Sequence, residues 1–250
     1  MGGASRAEKR RKQEAAEARL RAAGITPPKS AAAPDGRRTT FIVVASLAVV
    51  SLIVGIVVLV TRDGGEPVVP TYTTAAEGAV VTAGSGPVVV DIWSDYLCPA
   101  CERFEERYGE ELTTALNEGR ITVRHHEIAI LDERSDPPGY STRAANAAVC
   151  SSAAGIYPAF HERLFDAQPA AGGPGLTDEQ LIAFGTELGG DIGACVSDAT
   201  NAAAVTAETE AATANPALRG EQGFGTPTVT VDGVLADFGD GNWLQDAIGS

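Results

Sequence analysis

Cys98 and Cys101, in the stretch WSDYLCPACERF, are two cysteines separated by two residues. A pair at that spacing can close a disulfide, exchange it with another thiol, or supply half of a zinc site. Which of these it does depends on the elements that hold it. The preceding run PVVVDIW is short, apolar and β-branched, which suits a strand covered on both faces. Pro99 suits the first turn of a helix, where its missing N–H is not needed. Phe104, Tyr108, Leu112, Ala115 and Leu116 then recur at helical spacing, and Asn117 with Gly119 supplies the stop. RITVRHHEI follows as a second strand, so the three elements form a right-handed parallel crossover.

On that scaffold the two sulfurs share one helix face, with Cβ atoms about 5–6 Å apart. A disulfide can close there after modest adjustment. Cys98 sits among unsatisfied N–H groups at the positive end of the helix, which favours thiolate over thiol. A stabilised thiolate favours the reduced pair, so the disulfide becomes more oxidising. Cys98 is therefore expected to attack and be attacked, and Cys101 to resolve. Period two in the strand puts Val89, Asp91 and Trp93 on one face and Val88, Val90 and Ile92 on the other, which buries Asp91. A buried carboxylate without a partner has a raised pKa. Asp91 is expected to relay a proton to or from Cys101, the plainer alternative being a strand-end aspartate bonded to backbone N–H groups.

Charge is divided unevenly along the 250 residues. Residues 1–40 carry a net charge of +6 and residues 61–250 a net charge of −20, and so acidic a body repels nucleic acid. Between them lies FIVVASLAVVSLIVGIVVLV, residues 41–60, whose only polar side chains are Ser46 and Ser51. At about 1.5 Å per residue it spans roughly 30 Å, the hydrocarbon thickness of a bilayer. It is too long for the core of a cleavable signal peptide. Arg37 and Arg38 precede it, so the positive-inside rule puts 1–40 in the cytoplasm and the rest of the chain outside. Residues 61–78 are rich in Gly, Pro, Thr and Ala and are expected to be a flexible linker, with the folded domain over 79–250.

Residues 141–218 turn alanine-rich and helical, with Thr177 and Gln180 forming a capping box for one of the helices. In TPTVTVDGVLADF, Asp232-Gly233 marks a two-residue hairpin turn, and GNWLQDAIG suits a last short helix. The expected order is strand, helix, strand, helical block, hairpin, helix.

Four segments in this order, VVVDIWSDYLCPAC, AANAAVCSSAAGIYPAFHERLFDAQP, LTDEQLIAFGTELG and GFGTPTVTVDG, resemble the DsbA-like branch of thioredoxin-fold oxidoreductases, in its membrane-anchored actinobacterial form. The resemblance covers the folded domain. It implies an α/β thioredoxin fold with an inserted helical subdomain over about 141–218, behind one transmembrane helix. It also implies a cis peptide between Thr226 and Pro227 facing the cysteines, able to present Thr226 backbone groups to an extended substrate. The implied activity is donation of disulfides to exported proteins with free thiols. No cofactor motif appears in the chain, and turnover is implied to use a quinone-linked membrane reoxidase of the vitamin K epoxide reductase type. The family's namesake has His beside its second cysteine where this chain has Ala100, so its potential is not carried over. A threonine before the cis proline also occurs in isomerase-type relatives, which leaves isomerisation or reduction as the alternative direction.

Cys150 and Cys195 lie 45 positions apart in the helical block. With Cys98 and Cys101 paired by adjacency, 150 with 195 is the favoured second bridge, a structural staple. Two readings from other classes remain. Cys150, Cys195, His125, His126 and His161 could complete a zinc site with the first pair, although no second close pair exists. An anchored module could instead use the same groove only to hold peptides. Strand alternation makes His125 half-covered and His126 exposed, and helical phase puts His161 on a helix surface.

Overall fold

The computed structural model describes residues 68–237 and 241–249, together with Arg11 and Glu14. Apart from those two residues, the tail expected over 1–40, the spanning helix expected over 41–60 and the first part of the linker lie outside the described residues. Among the described residues no helix is long and apolar enough to cross a membrane. The chain divides into two units, Met1–Gly65 and Glu66–Ser250, and the description below concerns the second.

The β-branched run forms β3 (Val88–Ser94), and RITVRHHEI forms β4 (Ile121–Glu127) parallel to it, with Val90 opposite Val123 and Trp93 opposite His126. Helix α1 (Pro99–Asn117) makes the crossover and buries the predicted face, Phe104, Tyr108, Leu112, Ala115 and Leu116. Against β4 lie β2 (Val80–Gly84) and, outermost, β1 (Thr74–Glu77). Against β3 lie β5 (Thr228–Val231) and β6 (Val234–Leu235), so the sheet order is β1-β2-β4-β3-β5-β6. All pairings except β3 with β4 are antiparallel. Asp232 and Gly233 both take positive φ, 48° and 81°, as a tight right-twisting hairpin requires. The Asp232 carboxylate also accepts the Val89 N–H at 3.0 Å, tying the turn to β3.

The strand β1 corrects the expected linker over 61–78: Thr74–Glu77 pairs with β2 across its whole length. Asn117, the residue that ends α1, also accepts from the Thr71 N–H at 2.7 Å and donates to the Val69 carbonyl at 2.9 Å. Three of the four residues of β1 are exposed, so it is held by backbone pairing and carries no alternation of apolar residues to announce it.

The helical block comprises α2 (Tyr140–Ala153), α3 (Tyr157–Asp166), α4 (Asp178–Glu187), α5 (Gly193–Ser197) and α6 (Ala202–Ala214). Thr177 and Gln180 form the expected capping box at the start of α4. After the hairpin, α7 (Trp243–Ile248) returns to the sheet, and Trp243 and Leu244 pack with Phe104 and Tyr108 of α1 over Val90, Ile92 and Val123. A separate core inside the block gathers Tyr140, Ala144, Ala148, Phe160 and Leu164, and both redox-motif cysteines are packed into it. The motif thus sits where the sheet layer meets the helical block.

Cys150 on α2 and Cys195 on α5 are disulfide-bonded, with Cα atoms 5.9 Å apart. The bridge joins a helix packed at the centre of the block to one at its margin, closing a loop of 45 residues. On loop-closure entropy that restricts the unfolded chain by roughly 4 kcal/mol. Replacing both cysteines with serine is therefore expected to lower stability by several kcal/mol in denaturant titrations, while leaving the rate of thiol exchange at Cys98 within twofold. Loss of exchange with unchanged stability would contradict a structural role.

Candidate active site

Cys98 is the residue before the first turn of α1, in extended conformation at φ −89° and ψ 112°, with Pro99 opening the helix. Its carbonyl accepts the Cys101 and Glu102 N–H groups, at 3.0 and 3.2 Å, which begins the helix. Its sulfur meets the Cys101 thiol and the N–H groups of Ala100 and Cys101. The hydrogen bond from the Cys101 thiol is the largest influence and outweighs burial. Donors from Thr226 and the two N–H groups add to it, and the Cys98 thiol is lowered to about 5. Cys101 is fully buried, and burial together with the neighbouring Cys98 sulfur pushes its thiol well above the ordinary range. The two roles expected from the sequence are therefore separated electrostatically: at pH 7 Cys98 is a thiolate and Cys101 a thiol.

The Thr226–Pro227 peptide is cis, and the Thr226 carbonyl lies 3.3 Å from the Cys98 sulfur, close enough to accept the thiol proton when one is present. From the helical block, Gln168 donates to the Cys98 carbonyl at 3.2 Å. The motif is thus held from the sheet, from the loop before β5 and from the insertion at once.

Asp91 corrects the expectation placed on it. It is buried, as the alternation of β3 requires, but its carboxylate is not without partners. Arg124 donates at 2.6 and 2.9 Å, His126 lies at 3.1 Å and the Thr230 hydroxyl donates at 3.2 Å. Burial alone would raise the carboxyl. The bonds from His126 and Arg124 overcome it, and the net shift is downward. The face matters as much: Val90 and Ile92 point at α1, so Asp91, alternating with them, faces away from the helix that carries Cys101. Asp91 is a structural hub and not a proton carrier for Cys101. His126, expected to be exposed, is the second half of that hub. It stacks on Trp93 at 4.1 Å between ring centroids and meets Glu208 of α6 at 2.7 Å, which docks the insertion on the sheet.

The residue that the sequence reading missed is Asp95. Its side chain accepts the Leu97 N–H at 2.8 Å, the Leu131 N–H at 2.9 Å and the Ser141 hydroxyl at 2.7 Å, and its own carbonyl accepts the Cys98 N–H at 2.9 Å. It is fully buried. Burial outweighs those three bonds, the nearby Cys98 adds to the effect, and the carboxyl is raised to about 6. The signal that could have found it is an aspartate bonding the N–H two residues on, an Asx turn, placed just ahead of the helix. His161, expected on a helix surface, is 7% exposed and bonds Tyr96 and Tyr157 through Nδ1 at 2.7 and 3.2 Å. The zinc reading loses two of its ligands to the Cys150–Cys195 disulfide. Among the described residues no group of three or more His, Cys, Asp or Glu side chains is arranged to hold a metal ion.

With this geometry in place, comparison with known proteins is informative. A family model described as Thioredoxin matches residues 75–242. The reduced structure of DsbA from Mycobacterium tuberculosis superposes with a TM-score of 0.57 at 26% identity, covering 72% of this chain and 93% of that one. MdbA from Corynebacterium diphtheriae, a thiol-disulfide oxidoreductase, superposes with a TM-score of 0.63 at 21% identity, covering 72% of this chain and 94% of that one, a likeness of fold. The serine/threonine-protein kinase PknE of Mycobacterium tuberculosis is 30% identical over 179 residues, which are 69% of this chain and 32% of the kinase. The match thus spans about a third of the length of that curated relative.

The Cys98 thiol, lowered to about 5, ionises before the Asp95 carboxyl, raised to about 6, so the thiolate is already present when Asp95 titrates and opposes it. Following the Asp95 carboxyl by pH titration in Cys98→Ser, where that charge is gone, should show its midpoint move below about 6, whereas Ser141→Ala, which removes a donor to the carboxylate, should move it upward. An unchanged midpoint in Cys98→Ser would mean that the sulfur charge does not reach the carboxyl.

Proposed function

The chain belongs to the thioredoxin family, and on that footing we propose that it is an extracytoplasmic thiol–disulfide oxidoreductase that introduces disulfides into exported proteins through Cys98 and Cys101. The observation that carries this reading is the asymmetry of the pair: one sulfur at the helix start, lowered to about 5 and beside the Thr226 carbonyl, the other buried and held as a thiol.

The exchange follows from that asymmetry. In the oxidised pair a substrate thiolate attacks Cys98, the sulfur facing Thr226. The bond between Cys98 and Cys101 breaks, and Cys101 leaves with the electron pair and takes a proton, as its raised pKa requires. A second substrate thiolate attacks the substrate sulfur of the mixed disulfide, Cys98 leaves as the stabilised thiolate, and two electrons have passed from substrate to protein. The donors around Cys98 stabilise only the thiolate, which the disulfide lacks, so they favour the reduced protein and drive donation forward. Thr226 and Pro227 act on the substrate side, the Thr226 backbone pairing with an extended chain next to the sulfur. Asp95 is a positioning residue, its carboxylate holding the Leu97 N–H and its carbonyl the Cys98 N–H at the start of α1.

Outward placement of the domain rests on residues 41–60 as an uncleaved anchor and on the basic residues before them. A disulfide between Cys150 and Cys195 accords with an oxidising compartment. Each turnover leaves the pair reduced, so a membrane reoxidase is needed, by family resemblance a quinone-linked protein of the vitamin K epoxide reductase type.

With the resolving thiol removed, the mixed disulfide has no internal exit. Cys101→Ala expressed in a host with an oxidising exported compartment should accumulate disulfide-linked adducts of exported proteins through Cys98, released by reductant and absent in Cys98→Ser. Adducts that persist in Cys98→Ser, or their absence from Cys101→Ala, would contradict the proposal; a peptide-holding module would bind equally well without Cys98.

A further inference from the structure

His126 is held between two carboxylates that come from different layers. Its Nε2 lies 3.1 Å from Asp91 Oδ1 on β3, and its Nδ1 lies 2.7 Å from Glu208 Oε1 on α6. An ionised carboxylate only accepts, and a neutral imidazole has one N–H to give. Whichever nitrogen carried that single proton, the other would face a carboxylate lone pair to lone pair. Both contacts are satisfied together only by the imidazolium, whatever the tautomer of the neutral ring. Trp93 stacks on the ring at 4.1 Å between centroids and 19° between planes, an arrangement that favours a cation over the indole face.

The other charged groups around the ring agree with that state. Arg124, on the same strand, is engaged with Asp91 and helps to keep that carboxylate ionised. β2 sets Val80 opposite His126, and Glu77, one strand further out, is exposed. His125 alternates to the other face of the sheet and is kept neutral by burial first, then by His161 and His126. Burial pulls the pKa of His126 down, but Asp91 and Glu208 outweigh burial and hold it above the ordinary histidine value.

The helix fastened by this ring has a thin apolar seat. Val205, Glu208, Thr209 and Ala212 share one face of α6, and Val205 and Ala212 are its buried residues. The Thr209 hydroxyl accepts the Ala129 N–H at 2.9 Å. From α6 the chain runs directly to the active site. Arg219 donates to the Thr213 carbonyl in the last turn of α6 at 2.9 Å, and Leu218 and Phe224 pack in one cluster with the same Trp93 that carries His126. Thr226 follows two residues after Phe224, so the position of α6 is passed to the Thr226 carbonyl, 3.3 Å from the Cys98 sulfur.

We propose that His126 and Glu208 are positioning residues for the exchange, working as a proton-operated pin. With the imidazolium in place, α6 and the loop before Pro227 sit on the sheet and present the Thr226 backbone to an extended substrate; loss of that proton loosens both. The proposal rests on the reading of Cys98 and Thr226 as the exchange site. Its sign is fixed, because a histidine whose folded pKa is raised lends its stabilisation at low pH and loses it as pH rises through that value.

The test combines two readouts on the full-length chain. In the reduced protein an imidazolium stacked on an indole quenches its emission more than the neutral ring does, and Trp243, the second tryptophan, lies in the other core with Phe104 and Tyr108. Emission should rise with pH in a step above 6.5, clear of the Cys98 titration at about 5. Glu208→Gln should move that step to lower pH and His126→Gln should abolish it, while Glu77→Gln leaves it in place. Below the midpoint, His126→Gln should raise KM for oxidation of an extended peptide dithiol several-fold with kcat within twofold. Above the midpoint the variant and the unaltered protein should converge. A step that survives in His126→Gln, a midpoint unmoved in Glu208→Gln, or equal KM values below the midpoint would overturn the pin. Exchange with glutathione, which needs Cys98 but no strand pairing, separates this from the reading beneath it. An unaltered protein that shows the emission step yet fails to exchange with glutathione would overturn the assignment of the redox pair, and the role given to Thr226 with it.

Discussion

A thiolate that persists at neutral pH inside a folded protein must be given donors to replace the water it has lost. The need to supply them at one sulfur organises this structure. Helix α1 begins at Cys98 so that its first N–H groups converge on that sulfur, and Pro99 opens the helix where no N–H is required. The Cys101 thiol gives the largest single contribution because the helix places it one turn on, against the same atom. Chain from the far end of the domain, Thr226 before the cis proline, lies against the same sulfur, its carbonyl placed 3.3 Å away to accept the proton when the thiol is formed.

Two polar hubs keep these parts in register, one on each side of the sheet. On one face Asp91 binds Arg124, His126 and Thr230, and His126 passes the connection to Glu208 of the insertion. On the other face Asp95 clamps the turn into α1 against Leu131 and Ser141, and Tyr96 joins Glu127, Tyr157 and His161 below it. Buried charge of this kind stabilises weakly at best, yet it specifies geometry because an unmatched member is costly. The insertion is therefore part of the active site's scaffold: Ser141 and Gln168 both come from it, Ser141 bonding Asp95 and Gln168 the Cys98 carbonyl.

Much of this was legible in the chain before the structure. The crossover, the buried face of α1, the capping box at Thr177, the Asp232-Gly233 hairpin and the second disulfide follow from local rules, and each depends on residues close in sequence or on few candidates. The misreadings share a cause. Asp91, His126 and His161 were each assigned by the periodicity of their own element, which tells which face a side chain takes but not what another element brings to that face. Arg124 lies 33 positions from Asp91 and Tyr96 lies 65 from His161, distances at which a single sequence gives no pairing signal. β1 was missed for the opposite reason, since an edge strand held by backbone bonds needs no pattern.

The central claim is that the surround of Cys98 stabilises the reduced pair enough to make its disulfide a donor. The reduction potential of the Cys98–Cys101 pair, measured by equilibration with glutathione buffers, tests it most directly. The account predicts a value close to that of strong oxidants, about −120 mV, whereas a value near that of thioredoxin, about −270 mV, would contradict it.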